Sequence, residues 1–248
     1  MLDWITSHRV EIVRMTLEHI LLCSIALSIA IVVAIPLGVW AHGHRQRMTL
    51  VTIVTGLLYT IPSIALFALL VPIVGLGTVP VVAGLVTYAQ LMLIRAVVDG
   101  LDSVPADARE AAIGMGIDRY TILRTVDMPL ALPVFISGVR VATVTVIGIA
   151  TIGAVVDAGG LGSLILEGIQ RNQTVMVMTG AIVVSALALG ADRALVLLER
   201  RARPWVQPAT DLDPAEAPPA DPAHARTTNA PAHPAGYAGS AMTAGASA

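Results

Sequence analysis

Lysine is absent from this chain of 248 residues, and all fifteen of its basic residues are arginine. A Walker A loop and a Schiff-base mechanism both require lysine, so neither is available, and any nucleotide that drives this protein must bind to another chain. Cysteine occurs once, as Cys23, which excludes a disulfide framework and a cysteine-based metal site. Cys23 lies in an apolar run and is interpreted as a small buried hydrophobic side chain.

Charge is also scarce. Charged residues make up 13% of the chain and hydrophobic residues 56%, whereas a soluble domain is about 25% charged. Residues 20–41, 48–94 and 174–191 contain no charged side chain. A bilayer core needs about 20 apolar residues per helix, so the composition predicts an all-α integral membrane protein. The net charge of −2 gives no indication of nucleic-acid binding.

The apolar runs predict five transmembrane helices, at residues 17–40, 49–71, 79–98, 133–156 and 174–198. A different division of residues 48–98 gives six spans, and this alternative stays open. The chain is thereby divided into an N-terminal segment (residues 1–16), a membrane domain (17–203) and a tail (204–248). The tail is rich in Ala and Pro and has almost no large aliphatic side chains, so we expect it to be disordered.

Arginine is concentrated in alternate loops. It occurs in residues 41–48, in the loop 99–132 and in residues 200–203. Residues 72–80 have no charged side chain, and residues 157–173 contain one arginine, Arg171, together with Asp157 and Glu167. Cytoplasmic loops of membrane proteins carry an excess of basic residues. We therefore expect a multi-pass plasma-membrane protein whose loop 99–132, tail and C-terminus are cytoplasmic and whose N-terminus is outside.

The loop 99–132, called here the charged loop, has a helical sequence pattern. Residues 102–105, DSVP, predict the start of a short helix, and Gly116 predicts its end. Asp118 is the expected cap of a second short helix, which Met128–Pro129 is expected to end. The pattern predicts two short helices at an angle to each other, exposed on the cytoplasmic side.

The spacing within this loop is specific. Glu-Ala-Ala at 110–112 is followed by three residues, Gly116, nine residues, Val126 and then Met128–Pro129. This pattern resembles the EAA loop of bacterial ABC-importer permeases. Val126 and Met128 stand where that family prefers Ile and Leu. YTIPSIALFALLVPIVGLGTVP (59–80) and VVDAGGLGSLILEGI (155–169) resemble the osmoprotectant branch of the family, which transports glycine betaine, carnitine and choline. The resemblance covers residues 10–201.

The resemblance implies a division of labour between chains. The EAA helix would be a coupling helix seated in a cleft of an ATPase subunit, through Glu110, Ala111, Ala112 and Gly116. This chain would then be a translocation subunit without enzymatic activity, cofactor or metal, because a dimer of ATPase subunits binds ATP and Mg. A second permease subunit (an identical or a sister chain) and an external solute-binding protein complete the expected assembly.

The resemblance and the sequence also indicate candidates for the transport pathway or its gate, which are Tyr59, Pro62, Gly159, Gly160 and Gly162. Pro62 is expected to kink the second span and leave a backbone carbonyl free to line the pathway. The segment GGLG at 159–162 is not a phosphate loop, since no strand precedes it and no lysine follows. Resemblance places it in an external gate, and an ordinary turn between helices is the alternative.

Some charged residues fall inside or close to the predicted spans. Arg140 lies about two turns into the fourth span, where it either has a function or extends its side chain back to the cytoplasmic interface. For Arg95 and for the pair Asp192–Arg193 we expect such extension to the interface, because both lie near cytoplasmic span ends.

Other functions are weighed against this interpretation. The nearest alternative is an ABC importer for another solute, such as an amino acid. A secondary transporter or channel predicts an inverted repeat and buried carboxylates, and the sequence has neither pattern. The chain contains three Trp, four Tyr and two Phe, too few in the spans for a tight aromatic cage around a quaternary ammonium. Selectivity is therefore expected to reside in the binding protein.

Overall fold

The uncharged runs form long helices in the computed structural model, which describes residues 2–202. The α-helices in this range are α1 (Leu2–Ser7), α2 (Arg9–Ala41), α3 (Arg45–Thr60), α4 (Ser63–Val74), α5 (Thr78–Asp102), α6 (Ala106–Gly114), α7 (Arg119–Ile122), α8 (Met128–Ala150), α9 (Leu161–Gln170) and α10 (Thr174–Arg201). A π-helical segment (Leu123–Asp127) precedes α8 and a 3-10 segment (Thr151–Val156) follows it. The predicted tail, residues 204–248, lies outside the described residues.

Within residues 2–202, four helical stretches are long and apolar enough to cross a membrane. They are α2, α5, the stretch Arg119–Val156 that contains α8, and α10. The helices α3 and α4 are apolar together but are bent by 93° at a short break, and they bring the count to five if taken as one span. The predicted all-α membrane fold with about five spans is confirmed.

The first span is longer than predicted. α2 begins at Arg9, so residues 9–16, which the sequence assigned to a separate N-terminal segment, continue the first membrane helix. Arg14 and Glu18 lie one turn apart on this extension, with Arg14 Nη1 3.8 Å from Glu18 Oε1. Opposite charges at this spacing support a solvated helix, which is why the charged sequence does not end it.

Small residues allow close packing around α5, which lies between α2 and α8. Ala26 and Ala30 of α2 are completely buried, and a methyl group added to Gly38 would lie 2.6 Å from the Cβ of Val97 in α5. Gly138 of α8 is packed equally tightly against α5. Helices in membranes associate through such small side chains, and Ala26, Gly38 and Gly138 bring α2 and α8 close to α5 in this way.

The connection into α8 differs from the prediction. Met128–Pro129 does not end the second short helix, because the chain stays helical from Arg119 to Val156. The amide of Met128 bonds to the carbonyl of Leu123, five residues back, which widens the turn. Pro129 then occupies the first turn of α8, where its missing amide hydrogen costs little. The charged loop is thus continuous with a membrane helix.

The start of the first short helix is also shifted. Asp102 is the last residue of α5, and Ser103 closes that helix by donating its hydroxyl to the carbonyl of Gly100 at 2.7 Å. Pro105 directly precedes α6, which begins at Ala106. The polar residues predicted to open a helix therefore close the preceding one.

Candidate functional site

Arg109 fixes α6 to two membrane helices. Its Nε donates to Oδ1 of Asp127 at 3.0 Å, and its Nη2 donates to the carbonyl of Leu101 at 3.3 Å. Leu101 belongs to the end of α5, and Asp127 is the last residue before α8. Asp127 is only 8% exposed, and a buried carboxylate needs a charged partner. Arg109 therefore ties α6 to the end of α5 and to the residue that precedes α8.

The reversal between the two short helices depends on local chemistry. Gly116 has φ of 74°, a region that is costly for residues with a side chain. Asp118 then caps α7, with Oδ2 accepting from the amides of Tyr120 and Thr121 at 3.0 and 3.1 Å. Hydrogen bonds from the hydroxyl and then the amide of Thr121 lower the pKa of Asp118. The predicted break at Gly116 and the predicted cap at Asp118 are both confirmed.

The Glu-Ala-Ala motif is divided between the surface and the interior. Glu110 and Ala111 are exposed, whereas Ala112 is only 2% exposed and packs inward. Three apolar side chains that the motif did not indicate are exposed beside them, namely Ile113, Met115 and Tyr120 at 58%, 72% and 62%. Exposed large apolar side chains close together in sequence are candidates for contact with a partner. We call Glu110, Ala111, Ile113, Met115 and Tyr120 the docking set.

Pro62 breaks the second span instead of only kinking it, since α3 ends at Thr60 and α4 begins at Ser63. Pro62 has no amide hydrogen to donate to the carbonyl of Leu58, four residues back. That carbonyl accepts instead from the amide of Ile61. The carbonyl of Ile61 in turn accepts from the hydroxyl of Tyr88 at 2.5 Å. Nearby donors therefore occupy these two carbonyls at the break.

The aromatic rings of Tyr59 and Tyr88 meet edge to face, with their centroids 5.8 Å apart. Tyr88 is 3% exposed, whereas Tyr59 is 37% exposed. The ring of Tyr59 is thus the accessible one of the pair. Sequence reasoning did not anticipate the pairing, because the two tyrosines lie on different helices.

The segment 159–162 forms a tight turn at the start of α9. Gly159 and Gly160 have φ of 78° and 72°, so both use backbone conformations that favour glycine. A methyl group on Gly160 would lie 3.1 Å from Nδ1 of His19 in α2, and one on Gly162 would collide with the carbonyl of Thr151. The turn is therefore packed against α2 and against the 3-10 segment.

The pathway candidates thus form two groups with different neighbours. Tyr59 and Pro62 lie at the break between α3 and α4, and the three glycines lie at the start of α9. One backbone hydrogen bond, from the amide of Gly77 to the carbonyl of Val156 at 2.8 Å, joins the loop after α4 to the 3-10 segment. The structure does not bring the five residues together as one site.

A separate cavity of about 750 Å³ opens between α2 and α5. Its lining is mostly aliphatic and includes Glu18, and the pathway candidates are not among the described residues that line it. In the part of the chain that the structure describes, no group of three or more His, Cys, Asp and Glu side chains is placed to hold a metal ion.

Arg140 is paired with two carboxylates of α10. Its Nη2 is 2.9 Å from Oδ1 of Asp192, and its Nη1 is 3.1 Å from Oε2 of Glu199. Asp192, which we expected to extend to the interface, is one of these two partners. The sequence held one signal for this arrangement, since Asp192 and Glu199 are seven residues apart and lie on one face of α10.

Comparison with known proteins decides the family. Residues 28–204 match the inner membrane components of binding-protein-dependent transport systems. The chain belongs to this family. Membership accounts for the long apolar helices, and it makes the chain a transport permease subunit of the inner membrane.

Several relatives align with this chain over most of their length. An osmoprotectant import permease of Salmonella typhimurium is 40% identical over 190 residues, which are 75% of this chain and 88% of the relative. A glycine betaine/carnitine/choline transport system permease of Bacillus subtilis is 31% identical over 204 residues, 82% of this chain and 94% of the relative. A choline transport system permease of Bacillus subtilis is 37% identical over 188 residues, 75% and 83% of the two chains.

Solved structures of ABC transporters share the fold. A chain of the MetNI methionine ABC transporter in an inward-facing conformation superposes with a TM-score of 0.69 and 24% identity, covering 77% of this chain and 95% of that one. A chain of an amino acid ABC transporter with histidines gives a TM-score of 0.66 and 13% identity, covering 81% and 98%. At these identities the comparison establishes the fold of the membrane subunit.

Proposed function

We propose that this chain is the permease subunit of an ATP-driven importer for osmoprotectants such as glycine betaine, carnitine or choline. The observation that carries the proposal is the 40% identity across 88% of an osmoprotectant import permease. The relatives named for glycine betaine, carnitine and choline support the same solute class. In this proposal the chain translocates the solute, and a separate ATPase subunit binds ATP and Mg and hydrolyses the nucleotide.

Coupling to the ATPase is assigned to the charged loop. The docking set offers apolar side chains with one carboxylate, Glu110, which suits a cleft on a partner protein. Gly116 provides the reversal that presents these residues, and Ala112 supports α6 from beneath by packing inward. The Arg109–Asp127 ion pair then carries a movement of α6 into α8. Closure of an ATPase dimer around ATP would thereby change the conformation of the membrane helices.

The assembly that this function requires contains further chains. A second permease subunit, identical or a sister chain, completes the pathway, and an external binding protein delivers the solute. The arginines at 41–48, 99–132 and 200–203 support an orientation with the charged loop and the C-terminus in the cytoplasm. The turn 159–162 then lies on the external side, where it is a candidate for the gate.

Selectivity is assigned mainly to the binding protein. An aromatic cage surrounds a quaternary ammonium with several ring faces, whereas Tyr59 and Tyr88 meet edge to face and Tyr88 is buried. A pathway that holds the solute weakly also releases it readily. Import of an amino acid is the alternative cargo, since two structural neighbours are a methionine and an amino acid transporter. Their lower identity supports that cargo less than the osmoprotectant relatives support theirs.

The test is transport by the complete complex in proteoliposomes with its ATPase and binding protein. We expect ATP-dependent uptake of glycine betaine, carnitine or choline that requires the binding protein, and no uptake by the permease alone. Import of an amino acid without competition from these solutes would contradict the cargo but keep the importer. Uptake by the permease alone, without ATP, would indicate a secondary transporter.

A further inference from the structure

Two neighbouring side chains of α2 hold the end of the bundle that lies opposite the charged loop. α8 leads away from that loop for 23 residues, which is about 35 Å of helix. Near its far end, the carbonyl oxygen of Ile147 lies 3.1 Å from Nε2 of His19. A carbonyl can only accept, so Nε2 carries the hydrogen. His19 is 1% exposed, and this bond is therefore made in the interior.

The carbonyl of Ile147 needs a donor because the helix changes there. α8 tightens into the 3-10 segment at Thr151, whose amide bonds to the carbonyl of Gly148. In a continuing α-helix the same amide would bond to Ile147, four residues back. A backbone carbonyl without a partner is costly at membrane depth. His19 provides the replacement donor from a different helix.

The same two residues of α2 also hold the start of α9. Oε2 of Glu18 accepts from the amide of Gly160 at 3.3 Å, and that amide belongs to the unsatisfied first turn of α9. The ring of His19 lies directly against Gly160, since a methyl group there would come within 3.1 Å of Nδ1. Glu18 and His19 therefore contact the end of α8 and the start of α9 together.

We propose that Glu18 and His19 are positioning residues that hold the end of α8 against the start of α9 until the charged loop moves. α8 is tied to α6 by the Arg109–Asp127 ion pair at one end and to His19 at the other. A tilt of α8 that begins at the charged loop must therefore stretch or break the bond to His19. This inference rests on the proposed function, because it assigns the two residues to the transport cycle.

The chain contains its own reporter for this contact. Cys23 is a free thiol, 7% exposed, and lies one turn along α2 from His19. It borders a cavity of about 110 Å³ that is also lined by Ile147. If the contact at His19 opens, water and a small reagent reach Cys23 more often, and the thiol reacts faster.

The first experiment measures the rate at which a thiol reagent modifies Cys23 in the assembled complex in nanodiscs. The reagent is the positively charged ethyltrimethylammonium methanethiosulfonate. His19→Leu keeps bulk but loses the donor, and we expect the rate to rise roughly two- to tenfold, as for the loss of one hydrogen bond. His19→Gln places an amide nitrogen near the position of Nε2 and should restore the original rate. Glu11→Ala removes an exposed carboxylate of the same helix and serves as the control with no change.

The second readout separates positioning from mere stability. In the reconstituted transporter, His19→Leu should raise ATP hydrolysis in the absence of binding protein and shift the apparent KM for binding protein, with His19→Gln restoring both. A purely structural role would lower the amount of assembled complex and the maximal rate in proportion. It would change neither the ATP hydrolysis measured without binding protein nor the apparent KM for binding protein. Glu18→Ala, which removes the cap on α9 and the exposed ion pair with Arg14, repeats the test if His19→Leu fails to assemble.

Unchanged Cys23 reactivity in an assembled His19→Leu complex would overturn the inference, and so would a His19→Gln variant that behaves like His19→Leu. A wild-type complex that imports no betaine-type solute would instead overturn the proposed cargo. The reactivity of Cys23 does not depend on the cargo, so the two failures are distinguishable.

Discussion

Nη2 of Arg140 lies 2.9 Å from Oδ1 of Asp192, which joins the middle of α8 to α10 by an ion pair. Nη1 of the same guanidinium reaches Glu199, two turns further along α10. The buried residues of α10 all lie near its start and are Met176, Thr179 and Gly180. The second half of α10 is therefore held by these ion pairs together with partly buried apolar side chains such as Ala191 and Leu195, which pack against the core.

Arg140→Met should loosen that attachment. The substitution leaves the carboxylates of Asp192 and Glu199 without their cation, and unpaired charges are costly at partly buried sites. We expect the Tm of the purified complex to fall on the order of 5 °C. Arg193→Met, at an exposed neighbour of Asp192, is the control and should leave the Tm almost unchanged. Equal Tm values for the two variants would show that the ion pairs do not stabilise α10.

Two glycines of the charged loop, Gly114 and Gly116, should respond to alanine in opposite directions. Gly116 has φ of 74°, where a side chain costs about 1–2 kcal/mol. Gly114 lies in α6 with open space around it, where alanine gains about 0.5–1 kcal/mol. Amide hydrogen exchange across α6 and α7 should therefore speed up in Gly116→Ala and slow down in Gly114→Ala. The same direction in both variants would contradict the assigned turn.

Glu110→Arg should abolish ATP-driven uptake while the protein stays in the membrane. Glu110 is exposed in the docking set, so the substitution changes the proposed ATPase contact and no internal contact. The measurement is uptake together with co-purification of the ATPase subunit. Glu11→Arg, an equal change of charge on α2, should retain both. Normal uptake and assembly by Glu110→Arg would remove the docking set from the coupling contact.

Orientation is testable because Cys23 is the only cysteine of the chain. In a Cys23→Ala background, a cysteine at the exposed position Gln46 should resist impermeant thiol reagents in intact cells. A cysteine at Gln173, exposed at the start of α10, should react under the same conditions. Permeabilised cells give the control in which both positions react. The reverse pattern in intact cells would invert the proposed orientation.

The cap at Asp118 should lose its effect in acid. Hydrogen bonds from Thr121 lower the pKa of Asp118 in the folded protein, so the carboxylate stabilises α7 above its unfolded-state pKa. This stabilisation is lost as the pH falls through the lowered pKa of the folded state. Amide exchange in α7 should therefore be faster in Asp118→Ala than in wild type at neutral pH, and the difference should shrink in acid. A difference that is independent of pH would exclude the charged cap.

Local chemistry made the charged loop predictable from sequence. Gly116 and Asp118 act through their own backbone or through residues two and three positions away. The membrane helices were also predictable from local sequence, as long stretches without charged residues. Each such helix meets the bilayer independently of its neighbours, so no distant contact is needed to locate it. The helix starting at Arg9 was underestimated because a charged sequence extends beyond the apolar part of the span.

Contacts between distant residues were not predictable in this way. The partners of Arg140 lie 52 and 59 positions away, and His19 meets a carbonyl 128 positions away. Nothing in the neighbourhood of either residue indicates its partner, because the packing of α2, α8 and α10 decides which groups meet. The inward position of Ala112 also depends on tertiary packing, so the Glu-Ala-Ala motif alone did not show which of its residues are exposed.

The π-helical turn at Leu123–Asp127 joins α7 and α8 into one helical stretch, so the part of the charged loop after Gly116 is continuous with the membrane helix. A flexible linker at this point would absorb any push on α6, whereas an unbroken helix acts as a lever with a rigid arm. Its arm is about 35 Å long, so a tilt of roughly 5° at the base moves the tip by about 3 Å. A displacement of that size exceeds the tolerance of a hydrogen bond. Small movements at the base are thus amplified into contact changes at the opposite end.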